Sequence, residues 1–401
     1  MSANFYLSSH ANQHLHPRAA LVTARLEDYR LANEQELGWI EIWSASAMQK
    51  ICKRLGLRQQ VLATAIVFFR RFYLRNSYCE TDPALVAAAC CYVAAKAEET
   101  PVHVKSAVGE AKVVFNDMGL HGFTSENHRL AEMEFYLLEE LDFHLIVFHP
   151  YRALVQLCGR DGGATAGGDE GKASRASMLE MDDTALQMAW FIINDTFRSS
   201  LCLVHPPHLI AVAAIYLAFA LHPPASASTQ ILASSAPPGD SATTKASTTA
   251  GGSVSSRTRR QSTDAATPSS AAASSSSTSG GAVGPGGHTD PITFLASLQV
   301  DTSLVLEIVQ EIVSLYELWA QLEAGPPSSS SGNGSSAGPA AAAMGVGSSR
   351  STAASTNGRA QGPDERVVAI LRRMQEQRMR DIRDERTKLA QASQAAGRRA
   401  G

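Results

Sequence analysis

DPALVAAACCYVAAKAEE, residues 82–99, decides how the chain is read. Asp82 is a good helix N-cap, and Pro83 suits the first helical position, where a missing N–H costs nothing. Alanines at 84, 87, 88, 89, 94 and 95 are mixed with Leu85, Val86, Cys90, Cys91, Tyr92 and Val93, and no charge appears before Lys96. A helix that is apolar on every side belongs inside a domain, and its small side chains let neighbouring helices come close. Lys96, Glu98 and Glu99 then end the stretch. A buried helix that surfaces on a charge cluster is a natural place to grip a partner.

The pattern occurs twice. Residues 207–219 read PHLIAVAAIYLAF, and aligning Pro83 with Pro207 sets an offset of 124 residues (207 − 83). At that offset Leu85 meets Leu209, Ala87 meets Ala211, Ala89 meets Ala213, Tyr92 meets Tyr216 and Ala94 meets Ala218. The preceding helix keeps the register, with Leu62 on Leu186, Ala65 on Ala189 and Phe68 on Ile192. Two helices in one ungapped register argue for a duplicated helical domain. Lys96, however, falls on Ala220, so the second copy keeps the core and loses the charge.

Much of the 401-residue chain is rich in Ser, Ala and Gly and cannot bury a core. Roughly 250 residues remain for folding, enough for two domains of about 100 residues each. With 35 Lys plus Arg against 38 Asp plus Glu, the net charge of −3 gives no strong pull toward nucleic acid or membrane. The six cysteines form no CxxC pair and sit mostly in apolar helical runs, so they read as buried reduced thiols. The longest apolar run, 209–221, is short of the ~20 residues a membrane span needs, and the N-terminus has no hydrophobic signal core. The expectation is a soluble intracellular protein.

Taken in order, residues 1–32 form an N-terminal segment with a polar helical stretch around Leu21 to Leu31. The first domain is expected over 33–145. Asn33 with Glu36 resembles a capping box, and Gly56 ends that helix. Helices follow over about 58–76, the 82–99 stretch, 103–116, and 126–141 with Ser125 as its cap. The second domain is expected over 146–323, opening at His149-Pro150-Tyr151, with disordered insertions at about 159–177 and 222–288. Within it Asp182 or Asp183, Pro206/Pro207, Asp290-Pro291 and Asp301 mark helix starts. A disordered linker over 324–362 leads to a charged helical tail, 363–401, whose interleaved Asp, Glu and Arg predict a solvated helix. No period-2 strand pattern appears, so the fold class is all-α: two five-helix bundles in tandem.

A duplicated five-helix bundle whose first central helix ends AAKAEE resembles the cyclin fold. LRQQVLATAIVFFRRFY (57–73), EFYLLEELDF (134–143), IVFHPYR (146–152), INDTFRSSLCLVHPP (193–207) and NFYLSSH (4–10) are similar to the cyclin C family, the cyclin-like subunit of the Mediator kinase module. The resemblance covers roughly 1–158, 179–222 and 289–323. It implies a regulatory subunit with no catalysis and no cofactor of its own, acting in the nucleus on RNA polymerase II transcription. Its partners would be a Mediator-associated cyclin-dependent kinase, other kinase-module subunits and, indirectly, the polymerase machinery, without direct DNA or membrane binding. It further implies that Lys96 and Glu134 hydrogen-bond the kinase αC region, with Phe135, Leu138 and Glu99 beside them. Trp190, Asn194 and Asp195, with Tyr6 and Glu98, would form a groove for a Mediator partner. A Met-Arg-Ala-Ile-Leu docking sequence is absent from the first-domain helix, and Arg18 to Leu21 fits only the minimal destruction-box form.

Other chemistries lack parts. His10, His14 and His16 have no carboxylate or Cys to complete a metal site. Residues 166–174 lack the first glycine and the hydroxyl of a phosphate loop. Glu98/Glu99 and Glu139/Glu140 are adjacent on helices and point apart, which rules out paired-carboxylate glycoside chemistry. The alternative from another class is a TFIIB-like adaptor that binds DNA with the same fold. It calls for a Cys-rich zinc ribbon and a basic first repeat. Arg257-Thr258-Arg259-Arg260 is a short basic cluster suited to nuclear import.

Overall fold

The computed structural model describes residues 4–158, 179, 181–222, 291–325 and 362–399. The expectations for 159–177, for 223–288, for the Asp290 cap and for the 326–361 linker lie outside the described residues. A 3-10 turn at Phe5–Leu7 and short helices α1 (Ser9–Gln13), α2 (Arg18–Ala24) and α3 (Leu26–Tyr29) precede the first bundle. That bundle comprises α4 (Glu34–Arg54), α5 (Gln59–Phe72), α6 (Pro83–Ala97), α7 (Val104–Asp117) and α8 (Asn127–Glu140). The second comprises α9 (Pro150–Leu157), α10 (Asp183–Thr196), the short α11 (Leu201–Val204), α12 (Pro207–Leu221), α13 (Pro291–Ser297) and α14 (Thr302–Ala324). A last helix, α15, runs Pro363–Arg399. There is no β-strand among the described residues, in keeping with the all-α reading.

The two apolar helices are the axles. In α6 every residue from Pro83 to Ala95 except Tyr92 is buried, because α4, α5, α7 and α8 all pack on it. Alanine and cysteine allow that encirclement; a larger side chain would push a neighbour off axis. α12 repeats the arrangement among α9, α10, α13 and α14. The capping chemistry follows the sequence at Asn33 with Glu36, Asp82, Asp182 and Asp301, whose side chains accept from backbone N–H groups of the first turn. One cap differs. Ser125 plays no part at α8, whose N-cap is Glu126, and the nearby Thr124 hydroxyl accepts from the Glu126 N–H instead.

Polar groups join the bundles. Arg70, 3% exposed, ion-pairs Glu41 at 2.5 Å and donates to the carbonyls of Phe197 (3.3 Å) and Arg198 (2.7 Å) at the end of α10. Arg198 answers with a bond to Gln49 of α4 at 2.8 Å. Along the same seam Thr64 donates to Glu98 (2.6 Å) and lies 2.8 Å from Nε2 of His149. The hydroxyl has one proton and the carboxylate only accepts, so His149 must carry its proton on Nε2 and donate to Thr64.

The N-terminal histidines form part of this seam. Nδ1 of His10 accepts from the Phe148 N–H at 3.1 Å, and His14 lies 3.3 Å from His144. Burial, reinforced by the Arg71 guanidinium, pushes His10, His14 and His149 down to about 3, so all three are neutral in the fold. In the unfolded chain they titrate near the usual ~6.5. Their contribution is therefore complete above about pH 6.5 and is lost as pH falls toward 3. The melting temperature should drop steeply between pH 6.5 and 4. A His10→Gln/His14→Gln chain, melted by circular dichroism across that range, should show a shallower drop. An unchanged slope would refute the burial argument.

The charged tail departs from the expectation of a solvated helix. Val367, Val368, Ile370, Leu371 and Met374 of α15 are buried, and the helix packs on α4. Five apolar residues at helical spacing make a stripe narrow enough to be hidden by the charges around it. The side chains from Arg383 to Gln391 are exposed, so only the far part is solvated as expected.

Candidate functional site

Lys96 is placed by the last turn of α6 and Glu134 by the middle of α8, two helices in direct contact. The ammonium reaches the carboxylate at 2.6 Å. Its other face lies over the Tyr92 ring, 4.4 Å from the centroid. Partial burial works against the Lys96 charge, but the bonds to Glu134 and Tyr92 outweigh it and raise the pKa. The pair is asymmetric: the Lys96 side chain is 43% exposed and that of Glu134 only 14%. An exposed donor is thus held in place by a sheltered acceptor. In the second bundle Tyr216 faces Ala220 at the matching offset, so α12 has the ring but no cation.

Apolar surface adjoins the pair. Phe135 is 73% exposed and Tyr136 is half exposed, while Leu138 is half-buried against the core. Phe143 and Ile146 extend the exposed surface past the end of α8. Tyr136, Phe143 and Ile146 are not marked as site residues by any motif in the sequence. Tyr136 carries only the signal of an apolar residue on the solvent side of α8, and Phe143 and Ile146, in the turn and loop after Glu140, carry no helical signal at all.

Both helices that carry the pair end in the same way. After α6 the Glu99 N–H donates to Lys96 O and the Thr100 N–H to Ala95 O. After α8 the Asp142 N–H donates to Glu139 O and the Phe143 N–H to Leu138 O. These are paired C-terminal capping bonds, with the turn residue in the left-handed region that glycine favours. Gly56 and Gly119 fill that place after α4 and α7, but here Glu99 (φ 54°) and Asp142 (φ 51°) do, and Phe143 is left-handed as well (φ 57°). A non-glycine residue there costs about 1–2 kcal/mol, so strain is concentrated at the ends of α6 and α8. Glu99→Gly should therefore hold or raise stability, by up to about 1 kcal/mol after the larger chain entropy of glycine is set against the relief. Urea unfolding of the two chains checks this; a loss above about 1 kcal/mol would mean that Glu99 makes a stabilising contact.

The second set of residues is only partly assembled. Trp190 stacks on Tyr151 with centroids 4.6 Å apart, and Asn194 accepts from the Tyr151 hydroxyl at 2.8 Å. Gln59 of α5 donates to the same hydroxyl at 3.2 Å, so the group straddles the seam between bundles. Phe191, beside Trp190, is exposed. Asp195 instead faces inward, bonded to Arg198 (3.1 Å) and Tyr316 (3.1 Å), and burial raises its pKa. Glu98 is occupied by Gln60 and Thr64. The Tyr6 ring lies against Phe5 and His208 at the start of α12, whereas the Trp190 ring stacks on Tyr151. Tyr151, Gln59 and Phe191 are the members the sequence did not reveal.

Comparison with known proteins fits this architecture. Residues 41–146 match the family "Cyclin, N-terminal domain", a span from within α4 to just past α8. The chain is 36% identical over 378 residues to the RNA polymerase II holoenzyme cyclin-like subunit of Mycosarcoma maydis, covering 80% of this chain and 91% of the relative. It is 37% identical over 223 residues to Cyclin-C of Drosophila melanogaster, covering 54% of this chain and 77% of that one. It is 35% identical over 219 residues to Cyclin-C1-2 of Arabidopsis thaliana, covering 54% and 78%. With two helical bundles in tandem, each built around an apolar axle, the Lys96–Glu134 pair at the end of the first axle, and this identity along most of a relative's length, the chain belongs to the cyclin C family.

Proposed function

We propose that this chain is the regulatory cyclin of a cyclin-dependent kinase that acts on RNA polymerase II transcription, and that it grips the kinase through Lys96 and Glu134. The observation that carries the reading is the 2.6 Å pair beside exposed Phe135 on the surface formed by α6 and α8. A cation and a carboxylate side by side satisfy carbonyls and amides of one kinase segment through charge-assisted bonds. Phe135 and Leu138 add buried apolar area, and Glu99 lies at the edge. Holding the kinase αC helix inward lets its Glu reach the β3 Lys that positions ATP. Activation is then a shift in the population of the kinase, and this chain performs no chemistry of its own.

The finer assignment is to the Mediator kinase module, in the nucleus. Its support is the family membership together with the Trp190–Tyr151–Asn194 group, which offers a second docking surface, for another subunit, on the opposite bundle. In that assignment Asp195 and Glu98 brace the surface from beneath, and Tyr6 flanks it at the N-terminal arm.

The test is reconstitution of the purified full chain with a Mediator-type cyclin-dependent kinase, followed by a kinase assay on a polymerase C-terminal repeat peptide. Co-elution with at least tenfold stimulation is the expected result. A chain that binds no kinase but retards promoter DNA would replace this reading with that of a DNA-binding adaptor.

A further inference from the structure

The docked part of α15 lies in a groove with a distinctive rim. Its floor is α4, against which Val367, Val368, Ile370, Leu371 and Met374 are buried. Arg373 donates to Glu36 (2.8 Å) and to the Leu31 carbonyl (3.4 Å) just past α3. Arg378 pairs with Glu80 at 2.5 Å, and Gln375 donates to the Thr81 carbonyl at 3.4 Å. Arg366 donates to the Leu322 carbonyl in the last turn of α14. At the other end Lys50 meets Asp364 at 3.2 Å.

Apart from Lys50, these rim groups are acceptors: three backbone carbonyls and two carboxylates. The Leu322 carbonyl belongs to the final four of its helix, which have no intrahelical partner. The C-terminal end of the 23-residue α14 also carries partial negative charge. Such a rim admits a helix with an apolar stripe flanked by arginines, and leaves an acidic or uncharged helix with unmet acceptors. α15 answers that chemistry along its first four turns and then runs on past Met379, which is exposed. Residues 326–361 tether it, a reach of up to about 120 Å if extended. Such a tether supplies the helix at an effective concentration of the order of millimolar.

We propose that this groove on the first cyclin bundle is a receptor for a basic amphipathic helix, that α15 fills it in cis, and that a partner protein carrying the same apolar–arginine pattern enters by displacing α15. The tether sets the threshold: only a helix that binds tighter than α15 itself, or a chain whose α15 has been weakened, opens the groove. This does not depend on kinase binding, because the contacts involve α3, α4, the 77–82 loop and α14 rather than Lys96 or Glu134.

The test uses the full chain with a specific protease site inserted within residues 326–361, and a fluorescent synthetic peptide of residues 362–382 as probe. The intact chain should bind less than a tenth of the peptide at 100 µM (about tenfold below the effective concentration of the tether). After cleavage the peptide should exchange with the released helix and bind with a micromolar dissociation constant. Peptides with Leu371→Asp, or with Arg373→Glu plus Arg378→Glu, should bind at least tenfold more weakly. The uncut chain bearing Arg373→Glu plus Arg378→Glu should now accept the wild-type peptide. Equal binding to intact and cleaved chains, no exchange after cleavage, or equal binding of the arginine-reversed peptide would each overturn the proposal. Circular dichroism of the uncut chains confirms that the comparison is between folded proteins.

Discussion

Replacing Lys96 and Glu134 together by alanine should abolish kinase capture while leaving the fold intact. Truncating hydrogen-bonded charges that become desolvated in an interface costs about 2–5 kcal/mol, a factor of roughly 30 to 5,000 in affinity. Within the free chain the same pair is worth far less. Lys96 is 43% exposed, so solvent screens it, and such pairs contribute under about 1 kcal/mol to folding. The two effects therefore separate cleanly. Calorimetric titration with the purified kinase should show the affinity collapse, and thermal unfolding should change little. Glu134→Ala alone frees the Lys96 ammonium to hold its place over Tyr92 (4.4 Å), whereas Lys96→Ala leaves a sheltered carboxylate with no cation. The Lys96 change should thus be the more damaging single change to binding. If the double variant binds within twofold of wild type, the grip lies in the apolar surface around Phe135 and not in the charges.

The largest effect on stability is expected at Arg70. Arg70→Ala removes the cation from Glu41, whose side chain is only 19% exposed, and strands the carbonyls of Phe197 and Arg198. Breaking one side of a buried pair costs about 3–5 kcal/mol, roughly 10 °C in melting temperature at this domain size. Arg70→Met keeps most of the volume and should cost nearly as much, because Glu41 still lacks its partner. Adding Glu41→Met to that chain should recover part of the loss, since a buried pair exchanged for apolar groups is often neutral. Recovery stays incomplete because the two carbonyls remain unsatisfied. Thermal melts of the three chains decide it; an Arg70→Ala chain that melts within 2 °C of wild type would show that the Arg70 pair does not hold the bundles together, leaving that to apolar packing and to bonds such as Arg198–Gln49. Kinase binding by a surviving Arg70→Met chain would further report whether the first bundle grips independently of its orientation to the second.

The parts of the site were unequally legible. Lys96 stood out because it is the first charge after an apolar run, a local signal that a helix is surfacing. Glu134 carries no such mark among Glu132, Glu139 and Glu140, and only resemblance to a family distinguishes it. Tyr151 and Gln59 were invisible as partners of Trp190, because three separate helices bring them together at the seam.

By itself the sequence determined the helices, their order, the two axles and the duplication. Those features rest on short-range period, caps and side-chain size, which act within one or two turns. Tertiary structure alone decided which polar groups lie inside. FFRRFY reads as a basic helix end, yet Arg70 and Arg71 are both 3% exposed because α10, α11 and the N-terminal arm close over them. Asp195 and Glu98 read as surface acids, yet Arg198, Tyr316 and Thr64 draw them into the seam. α15 reads as solvated, yet α4, more than 300 residues earlier, supplies the surface that buries its narrow stripe. A buried charge is tolerated only where its partners wait, and those partners are fixed by the packing of distant helices rather than by neighbours along the chain.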